Sequence, residues 1–269
     1  MKEVRPAAVA GAFYPGEPGI LKHDIQAMLA AVAAPAEDAT PPKALIVPHA
    51  GYIYSGPIAA SAHARLIPLR RQIRRVVLLG PVHRVPVRGL ALPGVGSFET
   101  PLGSIALDRQ AMKQAASLPQ VVESFPVHAW EHSLEVQLPF LQMVLDDFSL
   151  VPLAVGDATP EEVAEVLEQL WGGPETLIVI SSDLSHYLPY DTARRVDHET
   201  AQAILALDAP LSHEQACGGT PVNGLLLAAR RHHLKPHLLD LRNSGDTAGD
   251  RNRVVGYGAF AFEESGHVH

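Results

Sequence analysis

Short apolar runs alternate with helical periodicities along this chain. Lys43-Ala44-Leu45-Ile46-Val47, Arg75-Val76-Val77-Leu78-Leu79 and Thr176-Leu177-Ile178-Val179-Ile180 are continuous and rich in β-branched residues. Runs of that length without polar alternation read as strands covered on both faces. Between them, residues 18–32 place Ile20, Leu21, Ile25, Met28 and Leu29 on one side of a helix. Residues 57–66 form an Ala-rich helical pattern, and Asp108 can cap a helix running to Leu118. His128 opens a helix carried through Val144 and kinked or broken at Pro139. Thr159 caps another, whose Glu161 and Glu162 suit the positive end of the helix dipole. Helices from Asp191 to Leu207 and from Thr220 to His232 complete that set, and residues 87–92, 149–155, 237–241 and 254–262 read as further strands. Residues 34–42 are a Pro/Ala-rich connector, and 95–103 a long surface loop. The alternation predicts an α/β fold: a single domain, 1–269, with a mainly parallel central sheet flanked by helices.

Composition changes little in that picture. With 269 residues, 47% hydrophobic and 19% charged, the chain is long enough for a full core and carries no signature of disorder. A formal charge of −8 argues against a general nucleic-acid or membrane-surface role, and no apolar run approaches the length of a membrane span. Met1-Lys2-Glu3-Val4-Arg5-Pro6 lacks the apolar stretch of a signal peptide, so a cytoplasmic protein is expected. Cys217 is the only cysteine, which excludes a disulfide within the chain and makes its thiol a candidate ligand.

The candidate chemistry lies where the three apolar strands stop. The first runs into Pro48-His49-Ala50-Gly51, the second into Gly80-Pro81-Val82-His83, and the third into Ser181-Ser182-Asp183-Leu184-Ser185-His186. Parallel strands put their C-terminal ends on one side of a sheet, so His49, His83, Asp183 and His186 can converge there. Cys217 falls in a turn ahead of a helix, a place where the helix N-terminus favours the thiolate. Two imidazoles and a third anionic ligand, with positions left open, describe a redox or Lewis-acid metal site. A thiolate draws preference towards Cu(I) or Zn(II), with Fe(II) still accommodated. His128 and His132 have the i, i+4 spacing of helical metal ligands, but Ala129-Trp130-Glu131 between them breaks the zincin pattern, and Glu131 and Glu135 read as helix-end and solvent-face charges. No Walker loop, dinucleotide fingerprint or nucleophile elbow is present.

These motifs, taken in order, resemble the Memo family, the protein B component of the AmmeMemoRadiSam system. The resemblance runs nearly end to end: Gly11-Ala12-Phe13-Tyr14-Pro15, Pro48-His49-Ala50-Gly51-Tyr52, Gly80-Pro81 with His83, Glu131-His132-Ser133-Leu134-Glu135, Ser181-Ser182-Asp183-Leu184-Ser185-His186-Tyr187, Cys217-Gly218 and Asn243-Ser244-Gly245-Asp246. It implies a fold like that of class III extradiol (LigB-type) dioxygenases, where two histidines and a glutamate hold iron. By position, His49, His83 and Cys217 then match the metal ligands, and Asp183 and His186 the polar, acid/base wall of the pocket. The implied cofactor is Fe(II) or Cu, in preference to zinc, in redox chemistry of an oxygenase-like kind; the cysteine in place of glutamate sets ring cleavage apart. The alternative is a non-catalytic module holding a peptide or partner protein in the same cleft, and a weaker one a zinc hydrolase. Expected partners are an unknown small molecule or peptide, with AMMECR-type and radical SAM proteins of the same system; no nucleic acid and no membrane are expected.

Overall fold

Residues 3–33 and 39–264 are described in a computed structural model. The connector at 34–42 lies partly outside the described residues, as do both chain ends. In chain order the elements are β1 (Val4–Arg5), α1 (Pro18–Ala30), β2 (Pro42–Val47), α2 (Tyr52–His63), β3 (Arg75–Pro81), β4 (Leu90–Leu92), β5 (Ser97–Thr100), β6 (Gly103–Ala106), α3 (Arg109–Ala115), β7 (Val121–Glu123), α4 (Phe125–Ala129) and α5 (Leu138–Val144). The second half holds β8 (Ser149–Val155), α6 (Pro160–Gln169), β9 (Thr176–Ser181), β10 (His186–Leu188), α7 (Tyr190–Leu205), α8 (Gly219–Arg231), β11 (Lys235–Asn243) and β12 (Val254–Glu263).

The three apolar runs became neighbouring central strands of a large mixed sheet ordered β10-β12-β2-β9-β3-β8-β4-β7, with β11 also paired to β12. Pairings within β2-β9-β3-β8 are parallel, while β12 joins β2, and β4 joins β8, antiparallel. Both faces of the centre are covered, which explains the lack of alternation. Leu45, Val47, Val76, Leu78, Leu177 and Val179 pack on one side with α1, α2 and α5. Ala44, Ile46, Val77, Leu79, Ile178 and Ile180 pack on the other with α3, α6, α7 and α8. Caps behave as their chemistry dictates: Asp108 accepts from Ala111 N–H, and Thr159 with Glu162 forms a reciprocal capping box.

Two segments differ from their sequence expectation. Residues 95–103 are no loop: they contribute to the hairpin β5-β6, which joins β1 in a small second sheet. Its alternation is only a few residues long, with Phe98 and Thr100 buried either side of exposed Glu99. The continuous helix expected from His128 is also broken. Alpha-helix α4 ends at Ala129, and the Glu131 carboxylate then accepts the backbone N–H groups of His132 and Ser133, supplying the chain with a non-helical alternative. Pro139 stands in the first turn of α5, where its missing N–H breaks no bond.

Candidate metal centre

His49, His83 and Asp183 each stand two residues beyond the end of their strand, β2, β3 and β9 respectively. Register Val47↔Ser181 and Leu79↔Ile180 aligns those three ends side by side. The approach is close enough to require glycine. A Cβ on Gly80 would lie 2.8 Å from Ser133 Oγ, and one on Gly218 2.8 Å from the Ser182 side chain.

At this edge His49, His83 and His132 come together, each offering a ring nitrogen within 4.8 Å of the others'. His83 and His132 are stacked with centroids 4.6 Å apart, and both stand near His49, at 5.3 and 5.5 Å, edge to face. Hydrogen bonds fix which nitrogens are bare. Ser181 Oγ gives its proton to Ser133 O, so it must accept from His49 Nδ1 at 3.0 Å and from Gln137 Nε2. That leaves a lone pair on His49 Nε2, which faces Cys217 Sγ at 3.3 Å. His83 Nδ1 lies 2.9 Å from Glu131 Oε1, on a carboxylate that accepts throughout, so the neutral His83 ring has its lone pair on Nε2. Burial holds His49 neutral, its basicity pushed well below the ordinary histidine value and further lowered by the neighbouring His132 and His83. Burial likewise brings His132 down to about 4, against the pull of Glu131. Neutral imidazoles with exposed lone pairs are what a metal requires.

The remaining sequence candidates border this cluster. Asp183 is buried and accepts the His49 backbone N–H at 2.7 Å; burial raises its pKa. His186 donates Nδ1–H to Leu184 O, which makes Nε2 its basic nitrogen, and it lies near enough to His49 and Asp183 to bear on the charge of both. Cys217 touches His49, yet its expected acidity is corrected. Burial, then the charge of Asp183, push the thiol up to about 12, outweighing the start of α8 behind it. Without a metal this residue is a thiol; a bound cation would have to displace its proton.

Three residues of this segment differ from their sequence reading. His132 was set aside with His128, but the break after α4 separates them: His128 is a core histidine bonded to Ala91 O, and His132 reaches the site. Glu131 and Glu135, read as surface charges, are 2% and 0% exposed. The signal was the Glu-His-Ser-Leu-Glu motif itself, which places polar residues in a segment otherwise apolar.

Three imidazole nitrogens with a thiol alongside are donors for iron, copper or zinc rather than for magnesium or calcium, which take oxygen. The fold and the cluster thus define an α/β protein with a candidate transition-metal site at the strand ends. Comparison with known proteins makes the family definite. The profile of the family described as Memo-like protein matches residues 5–261. A MEMO1 family protein of Metallosphaera sedula is 34% identical over 97% of this chain and 99% of its own length. Another from Archaeoglobus fulgidus is 35% identical over 96% of this chain and 99% of its own. The chain belongs to the Memo family. The crystal structure of an uncharacterized Escherichia coli K12 protein superposes with a TM-score of 0.52 at 16% identity, over 81% of this chain and 98% of that one, and shows a shared fold. Among the described residues no helix is long and apolar enough to cross a membrane.

Proposed function

We propose that this protein binds one redox-capable transition metal, Fe(II) or Cu(I), at the edge of its central sheet, and uses it in redox chemistry on a small molecule. The observation that carries this reading is the convergence of His49, His83 and His132, partly pre-oriented by hydrogen bonds, with burial holding His49 and His132 neutral. His49 and His83 would hold the metal, with Cys217 as the third ligand by family resemblance and His132 beside it. Bound there, such an ion supplies a one-electron couple and Lewis acidity. The chain supplies the surroundings: Ser181 and Gln137 brace His49, and Asp183 with the basic Nε2 of His186 can hold or pass a proton next to it. Phe13 closes one side of the cluster, its ring 4.6 Å from His132, and lines a cavity of about 540 Å³ with Gly51, Tyr52 and Tyr54 that suits a small apolar molecule.

The test is metal analysis of protein purified under anaerobic conditions without chelating resin, followed by Fe(II) and Cu(I) titration with a metal-specific spectrum. One equivalent bound with His and sulfur ligation is expected; absence of binding below about millimolar concentration would overturn the reading. A second reading, a module that holds a peptide or protein, is favoured by exposed Ile53, Trp130 and Tyr187, each within a few residues of a site histidine. It expects the same site to tolerate loss of metal without loss of partner binding.

A further inference from the structure

We propose that Glu131 is a positioning residue that fixes the His83 ring in the orientation a metal requires and, through the same oxygen, holds the His132 backbone beside it. This rests on the metal-binding reading of the site. Glu131 lies outside the cluster and touches no space where substrate could sit, being 2% exposed. Its two oxygens are nonetheless fully committed to the site. Oε2 accepts the His83 backbone N–H at 2.6 Å, and Oε1 accepts His83 Nδ1–H and the backbone N–H groups of His132 and Ser133, each at 2.9 Å. His132 Nδ1 stands 3.4 Å from that same Oε1 and has no hydrogen-bond partner of its own.

The geometry does three things at once. It ties the turn after β3 to the turn after α4, which are 48 residues apart in sequence. It selects the Nδ1–H tautomer of His83, because a carboxylate oxygen can only accept, and so leaves Nε2 bare. It also holds the two stacked rings against each other before any metal arrives. A carboxylate behind a ligating imidazole is the usual means of orienting it and raising its basicity, and its loss commonly costs 10- to 100-fold in metal affinity, by order of magnitude. Glutamine is the informative replacement. It offers one acceptor oxygen where the site presents four N–H groups to two, so its amide must oppose either the His83 backbone or the His83 ring.

The experiment has two readouts on the metal-free protein and on Zn(II), a redox-silent probe for nitrogen and sulfur donors. Long-range ¹H–¹⁵N correlation spectra report the His83 tautomer directly. Wild type is expected to show Nδ1–H, and Glu131→Gln a shift towards Nε2–H or a mixture. Zn(II) affinity should fall about 10- to 100-fold in Glu131→Gln. Glu131→Asp, which keeps the charge on a shorter arm, should recover part of both. A wild-type His83 in the Nε2–H form overturns the proposal without any variant, as does a folded Glu131→Gln with unchanged tautomer and unchanged Zn(II) affinity. If wild type binds no metal while its tautomer answers to Glu131, the metal reading fails and the positioning role stands; the two failures are thus separable.

Discussion

Glu131 and Glu135 are four residues apart, both buried, and they serve different ends of the molecule. Glu131 faces the strand-end cluster and takes its hydrogen bonds from His83, His132 and Ser133. Glu135 faces the N-terminal segment: it accepts from Arg5 Nη1, from the backbone N–H groups of Ala8 and Val9, and from Tyr14 Oη. Arg5 completes that second network by donating to His128 O and Glu131 O. One carboxylate bonds into the candidate site and the other clamps the irregular stretch that follows the short strand β1. Burial of a charge, taken alone, does not tell function from stability; its partners do.

The largest effect should come from breaking the clamp. Glu135→Ala would strand the Arg5 guanidinium, which is 1% exposed, and orphan two backbone N–H groups. Removing one partner of a buried pair costs about 3–5 kcal/mol. Chemical denaturation should show that loss, with Zn(II) stoichiometry of the folded fraction kept. A loss no greater than that of a surface substitution would show that the clamp is not what holds residues 5–14.

Next in size is an acid sensitivity that belongs to the clamp side. His128 is buried against Ala91 O and is brought down to about 4, by burial first and then by the charge of Arg5. Its folded pKa lies below the 6.5 of an ordinary histidine, so the unfolded chain takes up a proton first as pH falls. The stability due to neutral His128 is complete above about 6.5 and is lost on descent to about 4, a change of roughly 3 kcal/mol at ~1.4 kcal/mol per pH unit. His128→Gln, which can still donate to Ala91 O, should flatten the fall of Tm between pH 7 and 4. An unchanged slope would move the acid sensitivity elsewhere, to His63, held near 4 by burial, or to His49 and His132 at the site, which burial also lowers.

What the sequence disclosed follows the same division. The central strands were legible because both faces are covered, and His49 and His83 because parallel strands end on one side. The clamp was not legible: Arg5 and Glu135 are 130 residues apart, and no local periodicity announces such a pair. His132 was hidden by its spacing from His128, which suggested one helix where a carboxylate-bonded turn intervenes. The acidity expected of Cys217 failed because position before a helix is local, whereas burial and the proximity of Asp183 are not.

On the site side, His83→Ala should weaken metal binding at least about tenfold, since a ligand and its supported orientation are lost together. It should barely move the stability of the metal-free protein, because His83 is partly exposed and, among the described residues, its side chain hydrogen-bonds to Glu131 alone. Isothermal titration with Zn(II) beside a denaturation curve separates the two quantities. Unchanged affinity would remove His83 from the centre, and a large stability loss would make the site resemble the clamp after all.

The smallest expected effect, and the one that sharpens the site most, is the choice between metals. Cys217 Sγ stands 3.3 Å from His49 Nε2, while His132 brings a third imidazole to the same space. Sulfur favours Cu(I), and a nitrogen or carboxylate donor in that place favours Fe(II) relative to it. Cys217→Glu should therefore lower Cu(I) affinity about tenfold or more while largely retaining Fe(II), measured by parallel oxygen-free titrations of both proteins. Equal copper affinities would exclude the sulfur from the centre. The three imidazoles would then be the donor set, and Cys217 a part-buried thiol that accepts the Asp183 backbone N–H and packs beside His49.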